Sequence, residues 1–347
     1  MEFSLLRELS AAPGVSGAED AVRALVRREL AALGAEVEAD GMGNLVARVP
    51  GPGPRLLVAA HMDEVGLLVR HVDEGGFCRV VTVGGIDPRV LYGQAVVVRG
   101  ERDLAGVIGA APPHLAGGGD RERVVPVDEL FVDLGLPPGE AAALVRPGDP
   151  VTFPAFWAEN DWGVQARALD DRAGLFVMLE ALRRAGRPAC DLYLAATVQE
   201  EVGLRGAVPV ADRVRPDLVL VLEGTVANDL PGVPPHQVLA ALGRGPELRL
   251  SDGRFLADRE WTGFAAEVAA AAGLPRQVVV KKVGGTDAAV FQNAGGAARA
   301  AVLSLPVRYL HAPVGVACKA DIEAAVALTA ALMEQAPAFR PGRGRGE

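Results

Sequence analysis

Glu200 and Glu201 stand side by side directly after the apolar run Leu192–Val198. Adjacent carboxylates at the end of a buried strand lose hydration and repel each other. Something positive must hold them there, and a metal ion is the strongest candidate. Other segments carry residues of ligand type in the same setting. His61-Met62-Asp63 follows the strand-like run Arg55–Ala60, Glu223 follows Leu218–Leu222, and His311 lies just past Ala300–Leu305. Asp170-Asp171 opens a helical stretch, where the dipole favours anions.

Taken singly these residues are ordinary. A lone His after a strand usually serves the structure, a Glu-Glu pair usually sits on the surface, and Asp-Asp at a helix start is usually a cap. Taken together, two imidazoles and several carboxylates at one edge of one sheet match a dinuclear site with nitrogen and oxygen ligands. Such a site holds two ions about 3.5–4 Å apart through a bridging carboxylate and lowers the pKa of a shared water toward about 7. An unligated carboxylate nearby takes the water's proton and returns it to the leaving amine. Neighbouring side chains on a strand point opposite ways, so one glutamate of the pair can coordinate while the other acts as base. His71 and His236 lack this context and read as structural. His114, in Pro112-Pro113-His114-Leu115, is a loop residue without an assigned role.

The elements that would gather these residues are of α/β type. Val22, Leu25, Val26, Leu30 and Leu33 recur at helical spacing up to Gly34, and Ser16-Gly17-Ala18-Glu19 before them reads as a capping box. Asn44–Val49 and Arg55–Ala60 read as strands, joined by the turn Gly51-Pro52-Gly53-Pro54. From about Glu64 to about Trp162 short β-like runs follow one another, with a single short helix near Gly139–Val145; this predicts an inserted all-β domain. Beyond Asp170 helices (Ala173–Arg184, Phe255–Ala272, Asp321–Ala336) alternate with strands (Leu192–Val198, Leu218–Leu222, Gln277–Lys281, Ala300–Leu305). That alternation predicts a sheet covered on both faces, with ligands bound at the carboxyl ends of its strands.

Composition narrows the partners. Half of the 347 residues are hydrophobic and the formal net charge is −9, which argues against nucleic acid or anionic membranes as partners. No apolar stretch is long enough to span a bilayer and no signal peptide is evident. The three cysteines form no CxxC pair, which fits a reducing cytoplasm and indicates neither a disulfide framework nor a thiolate zinc site. No Gly-rich phosphate loop opens a helix after a strand, which sets aside a nucleotide-dependent dehydrogenase.

Five segments, in order along nearly the whole chain, resemble the tetrahedral (TET-type) dinuclear metallo-aminopeptidases, which include glutamyl and deblocking aminopeptidases. They are His61-Met62-Asp63-Glu64-Val65-Gly66, Ala168-Leu169-Asp170-Asp171-Arg172-Ala173-Gly174, Thr197-Val198-Gln199-Glu200-Glu201-Val202-Gly203, Gly285-Thr286-Asp287-Ala288 and Arg308-Tyr309-Leu310-His311. Asp229-Leu230-Pro231-Gly232 also fits. The resemblance implies a zinc-peptidase-like catalytic domain, with a mixed central sheet and helices on both faces, formed by residues 1–63 and 165–338. The β-rich insertion, 64–164, would be a dimerisation domain. By its own composition 339–347, with its basic cluster, reads as a flexible tail. His61, Asp170 and Glu223 would bind one divalent ion and Asp170, Glu201 and His311 the other, as zinc, cobalt or manganese. Glu200 would be the general acid/base, Asp63 would orient His61, and Thr286 and Asp287 would contact substrate. Substrates would be short peptides, and dimers would assemble into a dodecamer. The family usually has Asp where Glu223 stands, and often Ser and Glu at Ala312 and Gly315. Another hydrolase on the same scaffold, endoglucanase-labelled or a deacylase, ranks below this reading, because glycoside hydrolysis uses two carboxylates without a dinuclear site and aromatics make up only 5% of the chain. The intact ligand set with Glu200 argues against a non-catalytic assembly protein.

Overall fold

The structure is a computed structural model and describes residues 1–111, 123–186 and 188–342. His114 and most of the basic cluster, with residues 343–347, lie outside the described residues. Two helices, α1 (Ser4–Ala11) and α2 (Asp20–Ala32), lead into strands β1 (Glu36–Ala39), β2 (Leu45–Val49) and β3 (Arg55–His61). Next come β4 (Gly66–Val72), β5 (Cys78–Val83), β6 (Ala95–Arg99), β7 (Asp103–Gly109), β8 (Phe131–Asp133), α3 (Pro138–Leu144) and β9 (Pro150–Thr152). The chain continues through β10 (Trp157–Glu159), β11 (Gly163–Ala166), α4 (Leu169–Ala185), β12 (Asp191–Thr197), α5 (Ala207–Val214) and β13 (Leu218–Val226). It ends with β14 (Glu247–Ser251), α6 (Arg259–Ala271), β15 (Gln277–Val280), α7 (Ala288–Asn293), β16 (Arg299–Arg308), β17 (Gly315–Cys318) and α8 (Lys319–Gln335).

An 11-stranded mixed sheet orders its main path β1-β2-β12-β3-β13-β16-β17-β11-β10, with β14 and β15 branching from β16. Its centre, β12-β3-β13-β16, is parallel. Parallel strands buried on both faces read as near-continuous apolar runs, as in Leu56-Leu57-Val58-Ala59-Ala60. Alternate residues serve opposite layers: Leu56, Val58 and Ala60 pack with α1, α2, α4, α6 and α8, whereas Leu57 and Ala59 pack with α5 and α7. The expected fold class is therefore present.

Strands β4 to β9 close into a separate barrel with its own apolar core around Leu67, Val80, Val98 and Val132. The expected insertion, 64–164, reaches further along the chain than this barrel, because β10 and β11 pair within the large sheet. At the other end, Phe339 falls inside the expected tail yet packs edge-on against Trp261 and Phe264, with ring centroids 5.3 and 5.6 Å away. The packed chain thus runs past residue 338, since an aromatic ring buries more apolar area than the adjoining Pro, Gly and Arg can.

The register of the parallel strands brings the chemistry together. His61 at the end of β3 is paired with Thr197 at the end of β12. β13 runs four residues beyond the expected Leu222, so Glu223 lies within the strand, opposite Ser304 of β16.

Candidate active site

Asp170 lies between two imidazoles. Its Oδ1 is 3.2 Å from Nε2 of His61 and its Oδ2 is 3.2 Å from Nε2 of His311. Around the first ring Glu223 Oε1 approaches Nε2 at 3.3 Å. Around the second, Glu201 Oε1 approaches Nε2 at 3.1 Å. The structure thus gathers all five residues expected as metal ligands, from β3, the start of α4, the turn after β12, β13 and the turn after β16. The longer side chain of Glu223 does not overshoot. Its Oε1 also accepts from the N–H of Gly224 at 3.2 Å, which folds the carboxylate back toward His61.

Both rings are oriented from behind. Nδ1 of His61 is 3.1 Å from the Asp63 carbonyl and Nδ1 of His311 is 2.9 Å from the Gly85 carbonyl. A carbonyl only accepts, so Nδ1 carries a proton in each ring, and Nε2 either donates to the carboxylates when the ring is charged or offers its lone pair to a cation held among them. Gly85 belongs to the turn that leaves β5, so the barrel contributes to the site. Asp63, fully buried, does more than orient His61: its Oδ1 accepts from the N–H of Glu200 at 3.0 Å, and its Oδ2 from the N–H of Glu201 at 3.1 Å and from Ser16 Oγ at 2.6 Å.

These bonds correct the expected capping box. The side chain of Ser16 is spent on Asp63, and Glu19 Oε1 accepts from the N–H groups of Gly17 and Gln199, at 2.7 and 3.2 Å. No side chain caps α2, which begins only at Asp20. The Ser-x-x-Glu spacing instead pins the turn that carries Glu200 and Glu201. Backbone of positive φ gathers here as well: Ala168, Gln199, Tyr309 and His311 itself adopt it. Non-glycine residues take that conformation at a cost that surrounding structure must cover, and such residues concentrate at functional sites.

At the start of α4 the peptide joining Asp170 to Asp171 is cis, and both residues depart from helical backbone. Asp170 faces the imidazoles, whereas Asp171 turns inward, accepting from the N–H of His61 at 3.2 Å and of Gly174 at 3.0 Å. Expected as a cap, Asp171 does cap the helix that continues beyond it.

The expected division of labour in Glu200-Glu201 takes a different form. The pair follows Gln199 in a turn, so strand alternation no longer applies, and the carboxylates of Glu200 and Glu201 share one donor cluster with His61. Both line the cleft, and what separates them is their partners: Glu201 Oε1 lies 3.1 Å from Nε2 of His311, and Glu200 has no such ring against it among the described residues. Thr286 and Asp287, expected as substrate contacts, are buried behind the cleft wall, where Asp287 Oδ2 accepts from Thr197 Oγ1 at 2.6 Å. From that segment Gly284 and Gly285 reach the cleft. His71 and His236 are exposed and outside the cluster.

The electrostatics ask for added positive charge. Burial, with the charges of neighbouring carboxylates, raises the pKa of Glu200 and Glu201, and burial pushes Glu223 up to about 8. Burial disfavours a charged His311, but the flanking carboxylates of Asp170 and Glu201 outweigh it and push the ring up to about 11. Glu201 Oε1 and Glu223 Oε2 are buried without a hydrogen bond, the former despite its approach to His311. Acceptors that converge on one another and leave lone pairs unmatched fit cations held between them. Three groups of donors from this cluster lie close enough to hold an ion: His61, Asp171 and Glu223; His61, Glu200 and Glu201; and Asp170, Glu201 and His311.

A mixed α/β sheet with such a cluster at its strand ends is the setting expected of a metal-dependent hydrolase. Residues 43–328 match the M42 glutamyl aminopeptidase family, and the chain belongs to it. It is 35% identical to a lysyl aminopeptidase of Pyrococcus furiosus over 96% of this chain and 97% of that one. An aminopeptidase from the archaeon Desulfurococcus kamchatkensis shares its structure with a TM-score of 0.94 and 35% identity, covering 99% and 98% of the two chains. The TET1 peptidase of Pyrococcus horikoshii, which can assemble into a tetrahedron or a large octahedral shell, gives a TM-score of 0.86 at 34% identity over 96% and 99%. Aminopeptidase activity follows from this membership.

Proposed function

We propose that the chain removes N-terminal residues from short peptides at a dinuclear metal site. The observation that carries this reading is the placement of Asp170, one carboxylate oxygen toward each of two imidazoles, with Glu223 beside one and Glu201 beside the other. His61, Asp170 and Glu223 would hold one divalent ion, and Asp170, Glu201 and His311 the other, as zinc, cobalt or manganese. Two such ions supply positive charge that eases ionisation of a water and polarises the scissile carbonyl. Glu200, raised in pKa and open to the cleft, takes a proton from the attacking water. As the C–N bond breaks it delivers that proton to the leaving nitrogen. Asp63 fixes the backbone beneath both glutamates and, through Nδ1, the ring of His61.

The barrel is proposed as the dimerisation domain of a homo-oligomer, up to a dodecamer. Support comes from the assembly of the Pyrococcus horikoshii relative and from exposed Tyr92 and Val107 on the barrel strands and turns. A cytoplasmic setting fits three buried free cysteines. Among the described residues no helix is long and apolar enough to cross a membrane.

Chelation followed by metal titration tests the proposal. Two ions should bind per chain by elemental analysis. Hydrolysis of aminoacyl-anilides should vanish on chelation and return with cobalt, zinc or manganese. A single bound ion, or activity indifferent to chelators, would overturn it. Mass measurement in solution tests the assembly.

A further inference from the structure

Membership of the family leaves open the charge of the residue removed, since its description names a glutamyl enzyme and a relative is a lysyl one. The cleft beside the cluster carries a feature that bears on this. Its wall includes three cations, Arg249, Arg254 and Lys281, together with Thr225. The anions that accompany them do not line it. Glu247 sits behind, its side chain fully buried, with Oε1 3.1 Å from Nε of Arg249 and Oε2 3.0 Å from Nζ of Lys281. Asp252, whose side chain is also fully buried, accepts from Nη1 of Arg249 at 3.1 Å. Thr225 Oγ1 accepts from Lys281 and, at 3.3 Å, from Arg249, and Ser304 Oγ accepts from Arg249 at 3.0 Å.

This arrangement is polarised. The carboxylates are rooted in β14 and the loop after it and hold the cationic heads still, while the positive ends reach toward the cavity. Arg249 and Lys281 are 5% and 9% exposed, so little of their donor capacity is spent on bulk water. Arg254 adds a third charge from the exposed rim, its aliphatic stem lying over Gly285, where a Cβ would come within 3.0 Å of Arg254 Cδ. Glu223 lines the same cleft and attracts Arg249 and Lys281; with its charge taken up by the proposed metal site, three cations face two anions and leave this part of the lining positive. Preorganised, partly dehydrated donors bind an anion far better than its neutral isostere, because the isostere leaves charged donors unmatched.

Resting on the aminopeptidase reading above, we propose that this wall is the pocket for the side chain of the residue removed, and that it selects an acidic one. Arg249, Lys281 and Arg254 are its specificity-determining residues, with Glu247 positioning the first two. A lysine side chain meets like charge here, and a leucine brings these cations no further counter-charge.

The test pairs turnover with binding, on the full-length, metal-loaded protein. Glutamyl-, glutaminyl-, leucyl- and lysyl-p-nitroanilides are compared by kcat/KM, and binding of free L-glutamate, L-glutamine and L-lysine is measured by calorimetry. The glutamyl substrate should exceed the glutaminyl one by about 10–100-fold, the range expected for loss of a charge-assisted hydrogen bond, and glutamate should bind tightest. Arg254→Gln removes a rim charge without disturbing the buried network. The double variant Glu247→Gln with Lys281→Met removes one buried charge of each sign. Each should lower the glutamyl-to-leucyl ratio of kcat/KM at least about tenfold, chiefly through KM. Leucyl or lysyl turnover equal to glutamyl turnover, with glutamate binding no tighter than glutamine, would overturn the pocket assignment and leave the peptidase reading standing. Preferential glutamate binding without hydrolysis of any anilide would do the reverse.

Discussion

Replacing Asp63 by Asn changes one oxygen for an NH2 group in a fully buried position. The carboxylate now accepts from two backbone N–H groups and one hydroxyl, and lies 3.2 Å from Nδ1 of His61. In its better orientation the amide nitrogen replaces Oδ2 and donates to Ser16 Oγ, whose hydroxyl can rotate to accept. The N–H of Glu201 cannot rotate away, so it faces another donor. One buried N–H left without an acceptor costs about 1–3 kcal/mol. The Glu200-Glu201 turn then shifts relative to His61, and loss of a group that orients ligands reduces metal affinity or activity by about 10–100-fold. Metal content after dialysis against a buffered metal series, kcat on an aminoacyl-anilide and urea unfolding of the metal-free protein measure the three effects. An Asp63→Asn protein with parental metal affinity and turnover would refute the argument that this carboxylate sets the turn.

Glu200→Gln should retain both ions and lose about 100-fold or more in kcat, the contribution of a general base; elemental analysis alongside kinetics checks it. Gly224→Ala places a Cβ 2.6 Å from Cγ of Asp170, so it should displace that carboxylate and cut metal occupancy and turnover by at least about tenfold, while Gly263→Ala, in open space within α6, should not. The partly buried Asp229–Arg308 pair, at 2.8 and 2.6 Å, lowers the Asp229 pKa through the Arg308 hydrogen bonds. A depressed carboxylate pKa stabilises above the unfolded value and loses that contribution as pH falls through the folded one. Asp229→Asn should therefore cost about 1 kcal/mol at pH 7, and the gap to the parent in urea unfolding should narrow on acidification toward the carboxylate range.

Much of this site was legible because its ligands are side chains of distinctive type at the ends of strongly apolar strands. Such strands announce themselves by composition, and parallel packing aligns their ends. The supporting groups left weaker traces. Any residue carries a carbonyl, so nothing marked Gly85 as the partner of His311. Ser16 and Glu19 have a helix-capping spacing, and only tertiary structure shows that Asp63 and Gln199 compete successfully for them. The branch strand β14 is interrupted by Glu247 and Arg249, which polar patterning disguises until both are seen to be buried. The short strands β10, β11 and β17 lie at the outer part of the sheet, where a few residues suffice and periodicity has no room to show.

The carbonyl of Gly85 has a further consequence. It lets one compact unit of the protein grip a ring that belongs to another. If the barrel tilts, even slightly, the imidazole of His311 must swivel with it or lose its tether, and its Nε2 moves away from Asp170. Whatever steadies the barrel from outside would therefore also steady the chemistry, through this bond of 2.9 Å.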